Sequence, residues 1–122
     1  MVTMNRIELI GHVGHTPDVH RSTDGRLTVR FHLATDRPSV PGATASADWH
    51  HVVCWAKLAE FAAQSVTKGR LVYVAGRLSY RSWVGTDGRT RHATEIIASE
   101  VLLLGRSARE ASDDDAIEQV AS

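Results

Sequence analysis

From Leu27 to Leu33 apolar and polar residues alternate without a break, with Leu27, Val29, Phe31 and Leu33 on one parity and Thr28, Arg30 and His32 on the other. Successive side chains of an extended strand point to opposite faces, so this run puts one face into a core and leaves the other in water. No helix satisfies that period. The same reading carries along the chain. Arg6 to Gly14 is a first strand whose glycines permit strong bending or a bulge, which suits a small barrel. Asp48 to Trp55, rich in β-branched and aromatic residues, is a third strand. Leu71 to Trp83 is a fourth and Arg91 to Leu104 a fifth.

Turn chemistry separates these runs, at Thr16-Pro17-Asp18, Ser22-Thr23-Asp24-Gly25 and Thr86-Asp87-Gly88-Arg89. Asp36 to Ser46, with two prolines and a glycine, has loop composition and is long enough to be mobile. From Lys57 the period changes: Leu58, Phe61, Ala62 and Ser65 fall at helical spacing, and Gly69 is the expected stop. The predicted order is β-β-β-α-β-β. That is the order of a five-stranded OB barrel, an all-β fold with one short helix, here spanning residues 1–105. Such barrels take oligonucleotides or oligosaccharides, and the fold alone selects neither.

Size and charge narrow the choice. A chain of 122 residues is one domain with a short appendage, and 43% apolar with 23% charged residues is ordinary for a globular protein. No apolar stretch approaches the ~18 residues of a spanning helix, and the first residues lack a signal peptide's apolar run, so a soluble cytoplasmic protein is expected. The single Cys54 makes no internal bridge and no thiolate metal cluster. The formal net charge is zero, yet residues 107–122 hold one base and five acids; subtracting these from 14 and 14 leaves 13 bases against 9 acids in residues 1–106, a net of +4. A mildly basic body thus carries an acidic segment, 106–122, expected to be a disordered tail.

The three tryptophans fall in strands beside basic or polar neighbours. Trp49 and Trp55 share a parity with His51 and Val53 between them, and Trp83 shares one with Arg81, Ser79 and Arg77. Two neighbouring strands would present three indoles among Arg30, Lys57, Arg77 and Arg81. Single-stranded nucleic acid needs that combination, because every base offers a π-face and every linkage a negative charge. No catalytic constellation competes with it. The seven histidines show no metal-ligand spacing, Cys54 sits in an apolar run, and no nucleophile elbow or phosphate-binding loop occurs. A non-enzymatic binder without metal or cofactor is expected.

Across about residues 4–104 the chain resembles the bacterial single-stranded DNA-binding proteins of the SSB family. The matching pieces are Met4-Asn5-Arg6, Gly11 and Gly14 with Thr16-Pro17-Asp18, and Phe31-His32-Leu33-Ala34-Thr35. They continue as Trp49-His50-His51-Val52-Val53, Lys57-Leu58-Ala59-Glu60, Lys68-Gly69, Val72 to Leu78, Arg81-Ser82-Trp83, Asp87-Gly88 and Thr94-Glu95-Ile96. The resemblance implies a homotetramer of OB barrels that binds single-stranded DNA without sequence preference in replication, recombination or repair, in the cytoplasm with the nucleoid. It implies that Trp49 and Trp83 stack on bases and that Trp55 takes an aromatic position. Lys57, Lys68 and Arg81 would track phosphates, and His50 would lie at a subunit contact.

Two departures stand out. After Thr35, where well-known members carry another stacking tryptophan, this chain has Asp36-Arg37-Pro38-Ser39. The C-terminal stretch, Asp113-Asp114-Asp115-Ala116-Ile117 through Val120-Ala121-Ser122, lacks the family's Pro-Phe tip, so it is similar to a short-tailed paralogue with an atypical docking tip for replication and repair partners. Two other readings of the residues remain open here. One is an OB-fold primosomal or RNA-binding relative, and the other is a saccharide or protein-interaction module.

Overall fold

A computed structural model of the chain describes residues 1–38, 40–42 and 46–105. Six strands and one helix make up these residues: β1 (Ile7–Val13), β2 (Asp18–Arg21), β3 (Leu27–Arg37), β4 (Ser46–Trp55), α1 (Ala56–Ser65), β5 (Leu71–Val84) and β6 (Thr90–Leu104). Strand β1 pairs with β5, β5 with β6, β6 with β4 and β4 with β3, and β3 returns to β1. Those five strands close a ring, which is the expected OB barrel. Every pairing is antiparallel except β4 with β6. The sixth strand, β2, adds to β3 outside the ring.

Closure requires β1 to leave β5 and reach β3 within a few residues, with His12 paired to both Leu71 and Ala34. Gly11 sits at this corner. A Cβ there would run into the Ala34 carbonyl, so only glycine lets the two backbones approach. A second irregularity lies in β6, where Ala75 pairs with Glu100 but Gly76 pairs with Ala98. Ser99 is the extra residue, and its Oγ donates to the Ala75 carbonyl at 3.1 Å. This bulge switches the inward parity of β6 from Ile96 and Ala98 to Val101 and Leu103, which keeps both halves of a long strand on the core.

The alternation in β3 turns out as the sequence demands, since Leu27, Val29, Phe31 and Leu33 are all buried. Val52 and Cys54 from β4, Val72 and Val74 from β5, and Ile96 and Val101 from β6 meet them inside. Helix α1 closes the barrel against β3, β4 and β6 through Ala59 and Ala62, with Val66 just beyond its end. Burial pushes the Cys54 thiol up to about 12, so it is inert at neutral pH.

Several local expectations change. Asp18 to Arg21 forms a strand, although Thr16-Pro17-Asp18 has turn chemistry, because the long β3 offers it an open edge. Strands β3 and β4 extend into the expected loop as far as the Arg37–Ser46 pair, and Arg37 bridges Asp48 at 2.7 Å. Helix α1 starts at Ala56 and ends at Ser65, before Gly69, whose N–H instead bonds the Val13 carbonyl at 2.8 Å. The helix also buries Ala59 and packs Leu58 against the core, while Phe61 remains exposed. Arg70, one of the basic residues of the body, is buried and donates to the Leu104 and Gly105 carbonyls. The acidic segment 107–122 and its expected disorder lie outside the described residues.

Candidate nucleic-acid interface

The barrel sets side by side strands that are distant in sequence. On the outer face, Thr28, Arg30 and His32 of β3 stand opposite Trp55, Val53 and His51 of β4, and Ala34 stands opposite Trp49. The parallel pairing then puts His51 and Val53 beside Glu95 and Ile97 of β6. From β6 the face continues onto β5, where Ser79, Arg81 and Trp83 stand opposite Glu95, Ala93 and Arg91, and Arg77 opposite Ile97. Three indoles and four arginines therefore share one surface spanning four strands. Trp49 is 55% exposed, Trp55 50% and Trp83 38%, which excludes a core role for each.

Each indole has its own seat. Trp49 lies over Gly14, where a Cβ would collide with its six-membered ring, so glycine is what lets the indole lie flat on the backbone. Trp55 ends β4 and forms one wall of a groove of about 950 Å³, shared with Gly25, Arg26, Thr28, Lys57 and Glu60. Trp83 is near the β5–β6 turn with the Arg81 guanidinium 4.3 Å from its ring centroid, a cation–π contact that steadies both planes. Arg91 pairs with Asp87 at 2.9 Å in the same hairpin.

The cations of the face divide into two groups. Lys57, Lys68 and Arg77 are exposed and form no ion pair among the described residues. Lys57 stands on the first turn of α1 beside Trp55; Lys68 precedes the Gly69 that bonds Val13, next to the Gly14 seat of Trp49. Arg30 and Arg81 converge instead on Glu95, with Arg30 Nη1 2.5 Å from Oε2 and Arg81 Nε 3.5 Å from Oε1. The Glu95 side chain is only 9% exposed. Val53, read as an outward residue of a wet face, is 1% exposed, and the shallow depression around it is lined by Arg30, His51, Arg81 and Glu95.

A row of histidines fills the space between Trp49 and this ion triad. His15 Nε2 is 3.0 Å from His32 Nδ1, and the His32 ring packs edge-on against His51 at 4.4 Å. Burial, reinforced by His51 and His15, holds His32 below the ordinary histidine range, with Asp18 opposing. Among the described residues no group of three His, Cys, Asp or Glu side chains is arranged to hold a metal ion. His50 turns to the other face of β4, its Nε2 2.9 Å from Thr35 Oγ1. No helix among the described residues is long and apolar enough to cross a membrane.

Sequence reasoning gathered the tryptophans and arginines but missed Gly14, His32 and Glu95. Parity along β3 already sets His32 beside Arg30 on the outer face. The roles of Gly14 and Glu95 depend on strands 35 and 65 residues away in sequence, with no local signal.

Comparison with known proteins agrees with this architecture. The model of the single-strand binding protein family matches residues 4–104. "Single-stranded DNA-binding protein 1" of Chlorobaculum tepidum is 38% identical over 106 residues, covering 84% of this chain and 65% of the relative. The protein of the same name from Xylella fastidiosa is 36% identical over 110 residues, covering 87% of this chain and 81% of that one. The chain thus spans just under two thirds of the first relative's length. Among solved structures, Plasmodium falciparum SSB in complex with ssDNA superposes with a TM-score of 0.78 at 31% identity, covering 86% of this chain and 98% of that chain. A closed five-stranded barrel with three indoles on one basic face, matched over residues 4–104, makes this chain a member of the single-strand binding protein family.

Proposed function

We propose that this protein binds single-stranded DNA without sequence preference, stacking bases on Trp49, Trp55 and Trp83. Lys57, Lys68 and Arg77 meet the backbone charge, and Arg30 and Arg81 add to the positive potential of the face. One observation carries the reading: three half-exposed indoles stand on one barrel surface beside cations that make no ion pair among the described residues, on a fold whose solved relative holds ssDNA. Stacking contributes about 1–3 kcal/mol per base and tolerates any sequence. A neutral saccharide would bind without the steep salt dependence that a polyanion shows. The process served is protection of strands exposed in replication, recombination or repair.

Assembly into a homotetramer belongs to the same proposal. Strand β1 pairs with β5 from Ile7 to His12 but with β3 only at His12 and Val13, so among the described residues no strand pairs with its other edge from Ile7 to Ile10. Ile10 and Leu102 are 57% and 48% exposed on the adjoining sheet. An open edge beside apolar surface is what a second copy covers.

Titration with oligothymidylate, followed by tryptophan fluorescence, tests the binding. Quenching is expected, Trp49→Ala and Trp83→Ala should each weaken binding roughly 5- to 150-fold, and log K should fall linearly with log salt. Wild-type affinity in both variants, or a response flat in salt, would remove the stacking and phosphate roles. Sedimentation at roughly one subunit mass would remove the tetramer.

A further inference from the structure

The outer face has a carboxylate at its centre, where a polyanion binder would be expected to have none. The Glu95 side chain is 9% exposed, and each of its oxygens faces one guanidinium, Oε2 toward Arg30 and Oε1 toward Arg81. Arg81 is held on its other side by the Trp83 ring, 4.3 Å from the guanidinium carbon. Two cations and one anion leave this centre with one net positive charge, while Lys57, Lys68 and Arg77 around it make no ion pair among the described residues.

Glu95 engages Arg30 Nη1 and Arg81 Nε and cancels one of the two positive charges, so a phosphate at the centre meets only the outward N–H donors of the two guanidiniums and a carboxylate that repels it. Pulling either arginine off Glu95 to bind more closely would strand a buried carboxylate with half its partners, whereas the surrounding cations are available at no such cost. A base has no charge to satisfy. It stacks on an indole or on a guanidinium plane without disturbing the ion triad, and Trp83 is already steadied by Arg81 for that contact.

We propose that Glu95 is a positioning residue that reserves the centre of the face for bases: it holds Arg30 and Arg81 away from phosphates and fixes Arg81 against Trp83. Phosphates are left to the surrounding Lys57, Lys68 and Arg77. Discrimination between a base-bearing strand and a polyanion without bases then depends on a negative charge within a positive surface. This inference rests on the single-strand reading of the same face.

The experiment compares wild type, Glu95→Gln and Glu95→Asp as full chains, with oligothymidylate and with inorganic polyphosphate of matched charge. Glu95→Gln keeps shape and removes the charge. Its affinity for polyphosphate is expected to rise at least fivefold, and its salt slope with oligothymidylate to steepen by about 0.7 for each phosphate the freed arginines capture. Glu95→Asp should return both readouts toward wild type, a rescue that a purely structural role would not produce. Should the Gln variant not fold, the wild type provides its own test through the arginine Nε–H resonances. Polyphosphate should shift Arg77 and leave Arg30 and Arg81 in place, and oligothymidylate should move Arg81. Equal slopes and polyphosphate affinities in a folded Glu95→Gln, or parallel shifts of all three arginines with polyphosphate, would overturn the proposal while leaving single-strand binding intact. Absence of oligothymidylate binding by the wild type would overturn both.

Discussion

Replacing Gly14 by alanine adds one methyl group directly beneath the Trp49 ring. Gly14 lies outside the left-handed region, so the new residue introduces no backbone strain, and the whole effect is steric. Trp49 is 55% exposed, so rather less than half of its surface rests on the sheet. For an indole of roughly 250 Å² at ~25 cal/mol per Å², the covered part holds the ring in place by up to about 3 kcal/mol. The methyl group forfeits only part of that contact, so folding stability should fall by about 1 kcal/mol or less. Binding should suffer through a different route. An indole lifted off its seat must be ordered again when a base arrives, at about 0.5–1.5 kcal/mol for one side chain, which weakens oligothymidylate binding roughly 2- to 10-fold. Fluorescence titration gives the affinity and urea unfolding the stability. A double-mutant cycle isolates the cause: in a Trp49→Ala background, Gly14→Ala should no longer affect affinity. Wild-type affinity in folded Gly14→Ala, or an equal loss in both backgrounds, would refute the claim that this glycine positions the stacking ring.

Other tests address different parts of the molecule. Ala56, at the strand-to-helix junction, has φ +56°, so Ala56→Gly should raise stability by about 1 kcal/mol in urea unfolding, and an unchanged midpoint would deny the strain. Burial, with His51 and His15, lowers the His32 pKa in the fold, whereas the unfolded chain protonates near 6.5. Its contribution is therefore present above about pH 6.5 and lost as the pH falls toward the lowered folded value. Urea midpoints at about pH 7.5 and 5.5 should drop more for wild type than for His32→Gln, and equal drops would contradict the shift. With its thiol raised to about 12, Cys54 should resist disulfide reagents at neutral pH until the protein unfolds, and rapid labelling of the native protein would refute its burial.

The sequence by itself determined which side chains share a strand face, because that property belongs to the local backbone period. Leu27, Val29, Phe31 and Leu33 had to face one way, Trp49 and Trp55 had to share a face, and Trp83 had to accompany Arg81 and Arg77. The helix between β4 and β5 and the barrel order were legible for the same reason. Lateral neighbours were not, because they depend on how the ring closes. Only the parallel β4–β6 pairing brought Glu95 beside His51 and within reach of Arg30, so that Arg30 and Arg81, both expected in the positive groove, also partner a buried carboxylate. The same closure buried the outward-facing Val53 and seated Trp49 on Gly14. It left β2 the part of the β3 edge that β1 does not reach, and Arg70 turned inward onto the end of β6. Period is a property of neighbouring residues in the chain, whereas burial and charge pairing depend on neighbours in space, and those were fixed when a curved sheet met its own first strand.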